Sequence, residues 1–397
     1  SGAAASNTTT NTIEASILHG SVVSAAGAVT LDASDTSSIV ADVVSASASI
    51  GASGSAEIAV SIAVTLAENS IGGSVLATID DSNVTAGGGV DITAIANNSI
   101  DALAAAISVS VTASGSFSLS GAGSGAATSN TTTNSVEASI VGSEVNAGGS
   151  VTLLASDTSS ITADIVAASV SVALSGTVAA SVSIAATLAE NSIGGATLAT
   201  MDDSAVTAGG DVTITALGAN TIRAFAVAAA VSVSGSGTVA ISGAGTGAAA
   251  TNTTTNTVEA SIVNGSDVDA TGSVMLLAED TSAITAQLFS AAMSVAASGA
   301  FAASVSIALT LAQNSIGGET LATIEGSSVD AGGVVSLTAL ADTTIDALGV
   351  AVAVTVAGSG GGAVGGAGTG VIVGTTTTNT VEASITGGSI VTAVGEV

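Results

Sequence analysis

Along most of this chain apolar and polar residues alternate one by one, and the alternation is interrupted at regular places. Starting from Val29, an apolar side chain stands two residues on at Leu31 and four on at Ala33. A short polar stretch, Asp35-Thr36-Ser37, follows, and the alternation then resumes through Ile39 and Ala41. Period two places residues i, i+2 and i+4 on one face of a strand, so 29–33 and 39–41 are predicted strands with a bend between them. A Ser-Gly pair follows at Ser53-Gly54, where glycine fits a turn that needs positive φ. Beyond it a second alternating stretch, 58–67, carries Val60, Ile62, Val64 and Leu66 on one face.

The same phrase returns along the whole chain. The anchoring valine recurs at Val29, Val90, Val151, Val212, Val274, Val335 and Val397. Its companions recur with it: Leu31, Ile92, Leu153, Ile214, Leu276 and Leu337, then Ala33 through Ala339, then Ile39, Ile100, Ile161, Ile222, Ile284 and Ile345. The Ser-Gly pair reappears at Ser114-Gly115, Ser175-Gly176, Ser236-Gly237, Ser298-Gly299 and Ser359-Gly360. Residues 1–397 therefore form one array of units about 61 residues long. The units are paired. NTTTN at 7–11, 130–134 and 252–256, and TTTTN at 375–379, alternate with AENSIGG-type segments, giving a super-repeat of about 123 residues. Both ends fall inside a repeat, so the chain is expected to be a segment of something longer.

Identical inward columns cannot form a core within one unit, but stacked copies place valine on valine and isoleucine on isoleucine. The expectation is an all-β fold, a β-solenoid of the parallel β-helix kind, with each unit making three coils of about 20 residues or two of about 30. Long antiparallel hairpins stacked into a pile are the alternative. A string of Ig-like domains fits less well, since those carry buried Trp or Tyr and proline-marked turns.

Composition sharpens this reading. Pro, Cys, Trp, Tyr and Lys are absent, and Arg223 is the single permanent cation in a chain of formal charge -29. Nucleic-acid binding needs Lys and Arg to displace counterions from phosphate, and anionic membranes attract the same residues, so both partners are excluded. No uninterrupted apolar run is long enough for a transmembrane helix, and the aromatic girdles of a membrane barrel are missing. An acidic outer face would instead keep a strand-rich chain soluble by self-repulsion.

The phrase N-T-[IV]-E-A-S-I around Glu14, Glu137, Glu259 and Glu382, followed by S-x-V-x-A-G-G-x-V-x-[LI]-x-A and alternating Ala/Val strands around a Ser-Gly turn, resembles the giant β-strand-repeat surface proteins of bacteria. These include the filamentous-adhesin and leukotoxin-like group. The resemblance implies a secreted or surface-attached protein, a β-solenoid fold and an adhesive or architectural role, with no catalytic residues to carry over. The complete lack of Lys departs from many relatives.

Candidate chemistry is sparse, and the expectation is no catalytic, cofactor or metal residue and no enzyme activity. His19 lacks Cys or Lys partners and reads as an exposed turn residue. Arg223 follows the inward Ile222 and should point outward to a nearby carboxylate. Asp80-Asp81 and Asp202-Asp203 recur as pairs, but Glu325-Gly326 takes their place in the third copy, which argues against a glycosidase pair. Calcium is the one ion that competes, with Asp35, Asp157 and Asp280 near Asn and Ser oxygens, although no EF-hand or nonapeptide array is present and solvated charge is the expected state. The threonines of NTTTN could meet an ice lattice, but they occur once per pair of units, and an Asn/Thr ladder capping a coil is the plainer reading.

These observations lead to an extracellular or cell-surface structural protein, a stiff acidic rod or filament for a fibre, biofilm matrix or adhesin stalk. Its expected partners are copies of itself, head-to-tail or lateral, and host or environmental surfaces. A calcium-dependent or ice-binding adhesin, and a polysaccharide-acting β-helix enzyme, are the alternatives.

Overall fold

A computed structural model describes the whole chain, Ser1–Val397. It contains strands, tight turns and no helix. One coil reads Val90–Ala96, Ser99–Ser114, Phe117–Val141 and Glu144–Ala147, strands of 7, 16, 25 and 4 residues, before the next coil starts at Val151. Each strand pairs only with its counterparts one coil below and one above, always parallel: Val90 lies between Val29 and Val151, and Ala102 between Ala41 and Ala163. Four sheets result, of 7, 7, 6 and 6 strands. The protein is thus a parallel β-solenoid.

The coil is much larger than expected. A whole unit of 61 or 62 residues makes a single turn of the solenoid, as the side-chain bonds joining equivalent asparagines show. Neither two nor three coils fit in a unit, because strands of 16 and 25 residues absorb the chain that shorter strands would have spent on extra turns. Parallel strands lie about 4.8 Å apart, so a unit advances the axis by about 4.8 Å rather than 10 or 14 Å. The 25-residue strand spans about 80 Å, which makes the body a broad ribbon in cross-section. Antiparallel hairpins are likewise absent. The two arms on either side of each Ser-Gly turn face one another through side chains, as in Ser110 Oγ to Ser120 Oγ at 2.9 Å, and each arm gives its backbone bonds to neighbouring coils.

The sheet of 25-residue strands, here the broad sheet, is covered on its first half by the 16-residue strands and on its second half by the 7-residue strands. Three kinds of core follow. Beneath the 7-residue sheet lie full-sized aliphatics such as Val90, Ile92, Val136, Ile140 and Val145. The predicted isoleucine column, Ile39 through Ile284, meets Ile71, Ile193 and Ile316 of the broad sheet in a wall across the interior. Beyond that wall, toward the Ser-Gly turns, the interior is mostly small side chains, among them Ala63, Ala104, Ala106, Ala126 and Ala185, with Ile165 and Leu288 the larger exceptions and serines bonded to serines, as in Ser169 Oγ to Ser183 Oγ at 2.7 Å.

In this thin part of the slab the larger aliphatics face out. Val60 is 60% exposed and Ile62 55%, while Ala59, Ser61 and Ala63 are buried. The cause is strand parity. Ile71, Val75, Ala77 and Ile79 of the same strand are buried under the thicker half of the slab, and a continuous pleat commits every odd position from Ala59 to Ile79 to the interior.

The Ser-Gly turn also differs from expectation. None of its glycines has positive φ. In the turns at Ser53, Ser114 and Ser359 the serine hydroxyl donates to a carbonyl three residues on, at 2.7 Å from Ser53 to Ala56, whereas the hydroxyls of Ser175, Ser236 and Ser298 have no partner. Glycine is needed for stacking: a Cβ on Gly115 would lie 2.2 Å from the carbonyl oxygen of Gly54, and one on Gly176 2.2 Å from that of Gly115.

Candidate functional site: buried polar ladders and outer faces

Many of the polar residues are inside the slab. Asn7, Asn69, Asn130, Asn191, Asn252 and Asn314 point inward from the middle of successive broad-sheet strands. Each side-chain amide Nδ2 donates to the Oδ1 of the next, at 2.7–2.8 Å. The ladder stops where the TTTTN variant sets Thr375 opposite Asn314, and Asn314 Nδ2 has no partner. The Asn ladder anticipated for NTTTN therefore exists, but it runs through the centre of a strand and caps nothing.

A second asparagine set, Asn11, Asn134 and Asn256, occurs in every other coil and reaches across the slab to the end of the 7-residue sheet. Asn134 Nδ2 lies 3.3 Å from both oxygens of Asp157 and 2.9 Å from Ser159 Oγ. Ser159 donates its hydroxyl to Asp157 at 2.6 Å and its N–H at 3.1 Å. The same node recurs at Asp35 with Ser37, Asn11 and Asn98, and at Asp280 with Ser282. Asp35, Asp157 and Asp280 are 4%, 3% and 3% exposed, so they are not the solvated charges that their polar surroundings suggested. Burial pushes the Asp157 carboxyl above the usual carboxylate range, against the opposing pull of hydrogen bonds from Ser159 and Asn134.

This arrangement is built from donors. A hard cation takes about six to eight oxygen ligands with free lone pairs, whereas Asp35 and Asp157 face amide, hydroxyl and backbone N–H groups, and Asp280 the hydroxyl and backbone N–H of Ser282. The coils between contribute Ala96, Gly218 and Ala341 at the equivalent place, which separates the carboxylates. No three side chains of His, Asp or Glu converge anywhere in the chain.

The remaining candidates are spread over the surface. His19 occupies a corner with φ of 60°, and Asp81 and Asp203, the second members of the aspartate pairs, hold φ of 45° and 44° at the corresponding corner. There the chain elsewhere uses Gly142 and Gly326, with φ of 55° and 60°. The pairs are thus turn geometry, since Asp tolerates the left-handed region, and Glu325-Gly326 is the same corner made with glycine. Arg223 points outward and pairs with Asp164 of the neighbouring coil, Nη1 to Oδ1 at 2.8 Å. Thr131 and Thr133 face out from the broad sheet, but their neighbours one coil up are Ser192 and Gly194, so outward threonine pairs occur on alternate coils only. Depressions in this region are shallow and polar, as in a furrow of about 350 Å³ lined by Thr251, Thr253, Gln313 and Ser315.

Neither the family models, nor the curated proteins, nor the solved structures contain a match to this chain. No helix of the chain is long and apolar enough to cross a membrane.

Proposed function

We propose that this protein is a non-catalytic, secreted or cell-surface structural element, in which stacked coils form a broad acidic ribbon within a fibre or matrix. The observation that carries the reading is the constant in-register pairing of every strand with the same strand one coil away, through all four sheets. Such a body gains stability from each added coil and has no central site to shape. A solenoid edge offers a row of backbone groups to the next coil, so coil-on-coil addition, within one chain or between copies, is the natural mode of growth. A coil of 61 residues advances the axis by only about 4.8 Å. That ratio favours width and stiffness over reach, and so a fibre or matrix ribbon over a long stalk. Resemblance to the bacterial β-strand-repeat surface proteins supports the extracellular placement, as does a sequence with a single site for trypsin, Arg223.

Electron cryo-microscopy tests the proposal. The expected particle is a ribbon about 80 Å wide with an axial repeat of about 4.8 Å and a weaker one of about 9.6 Å from the alternating coils. Beads with separate interiors, or a rise of 10 or 14 Å per unit, would overturn it.

A further inference from the structure

The exposed aliphatic face of the thin half of the slab has a two-coil corrugation. In one coil the outward residues of the broad sheet are Val60, Ile62 and Val64, and directly above them stand Gly121, Gly123 and Gly125. The next coils bring Val182, Ile184 and Ala186, then Gly243, Gly245 and Gly247, then Val305, Ile307 and Leu309, then Gly366, Gly368 and Gly370. Ridges of branched side chains therefore alternate with glycine-floored grooves, at a spacing of about 9.6 Å. One groove, of about 430 Å³, has Gly247 in its floor and Leu309 and Leu311 in its wall.

Apart from Gly370, where a Cβ would lie 2.9 Å from Leu309 Cδ2, nothing inside the chain requires these glycines. None has positive φ. A Cβ on Gly125, Gly245, Gly247, Gly366 or Gly368 would meet no atom within 4 Å, unlike the turn glycines described above. Glycine in a strand interior weakens the strand and marks close approach by another group. Here that group must come from outside the chain.

The geometry points to a second copy of this chain, its aliphatic ridges seated in these grooves, as the partner of this face; the inference rests on the fibre reading and gives it a lateral contact. The spacing of ridges on one copy equals the spacing of grooves on the other. A half-turn about the ribbon axis with a slide of one coil interleaves the two. Charge agrees. Between Ile58 and Leu66 and at the equivalent positions above, no outward residue is ionisable, whereas Glu68, Glu190, Glu14, Glu137 and Glu259 occupy the outward face of the other half of the broad sheet. The half-turn sends those acidic halves to opposite sides. Area agrees as well: about 27 Å of strand across the six coils that carry this face gives about 800 Å² per copy, or about 1,600 Å² in all, the size of a stable specific interface.

Sedimentation velocity on the chain over micromolar concentrations is the test. Association of the native chain is expected. The variant Gly123→Val, Gly245→Val, Gly368→Val should associate at least tenfold more weakly while keeping its circular dichroism and melting temperature, because valine suits the strand and fills only the grooves. A second variant, Ile62→Ser, Ile184→Ser, Ile307→Ser, removes the ridges and should weaken association similarly. A native chain that stays monomeric at 100 micromolar, or variants that associate as well as the native chain, would overturn the inference. So would a monomer that floats with phosphatidylcholine vesicles, since lipid needs no corrugation. Failure of the fibre reading is a separate result, visible as beads in the microscope whatever the sedimentation behaviour.

Discussion

Asn134 and Asp157 face each other across the interior of the slab, with the asparagine amide 3.3 Å from both carboxylate oxygens. The pair joins the broad sheet to the end of the 7-residue sheet, and Ser159 completes it. Its charge is desolvated, which sets a pH dependence. Because the folded-state pKa of Asp157 is raised, the folded chain binds more protons than the unfolded one between the two pKa values. This group's contribution is therefore greatest below the ordinary carboxylate range and is lost as pH rises through the raised value. Thermal melts should show that component in the native chain and lack it in Asp157→Asn.

Removing the carboxylate altogether strands its donors. Asp157→Ala takes away the acceptor of the Ser159 hydroxyl and the carboxylate partner of the Asn134 amide in a buried place, and is expected to cost about 1–3 kcal/mol in denaturant titrations. A cost below about 0.5 kcal/mol, the range of ordinary surface changes, would mean that the node is not desolvated.

Calcium offers a separate check on these nodes. Buried carboxylates that face hydrogen-bond donors and stand one per two coils predict that EDTA leaves the melting temperature unchanged and that millimolar calcium does not raise it. A chelator-sensitive melt would favour the calcium-dependent adhesin instead.

The asparagine ladder predicts a position effect. Asn191→Leu orphans the amide of Asn130 and the carbonyl of Asn252, so it should cost about 2–5 kcal/mol, counting two buried groups. Asn314→Leu orphans only Asn252, since the Asn314 amide is already unpartnered, and should cost about half as much. Equal losses would count against a continuous ladder.

Turn glycines provide the sharpest test of stacking. On Gly176 a methyl group would sit 2.2 Å from the carbonyl of Gly115, whereas on Gly54, in the first coil, it would meet nothing within 4 Å. Gly176→Ala should lower stability by several-fold more than Gly54→Ala, which is expected to fall within about 0.5 kcal/mol of the native chain. Were the two equally harmful, turn conformation rather than coil contact would be the constraint.

Much of this architecture was legible in the residues. The recurring Val, Leu, Ala and Ile columns are the buried columns of the structure, and Arg223 does meet a neighbouring carboxylate. The size of the coil was not legible, because a repeat length of 61 is compatible with one turn, two or three, and only the pairing of Val90 with Val29 and Val151 distinguishes them. Burial of Asp35, Asp157 and Asp280 was also hidden. Its trace was their occurrence in the same alternate units as Asn11, Asn134 and Asn256, a correlation between distant positions rather than a motif.

What the chain alone determined is its periodicity: alternation at period two commits it to strands, and exact recurrence commits like residues to lie over like. Which face of each strand is interior was decided by tertiary structure. Around Val60 and Ile62 local hydrophobicity points one way, while the pleat inherited from Ile71, Val75 and Ile79 points the other, and burial of the larger core wins.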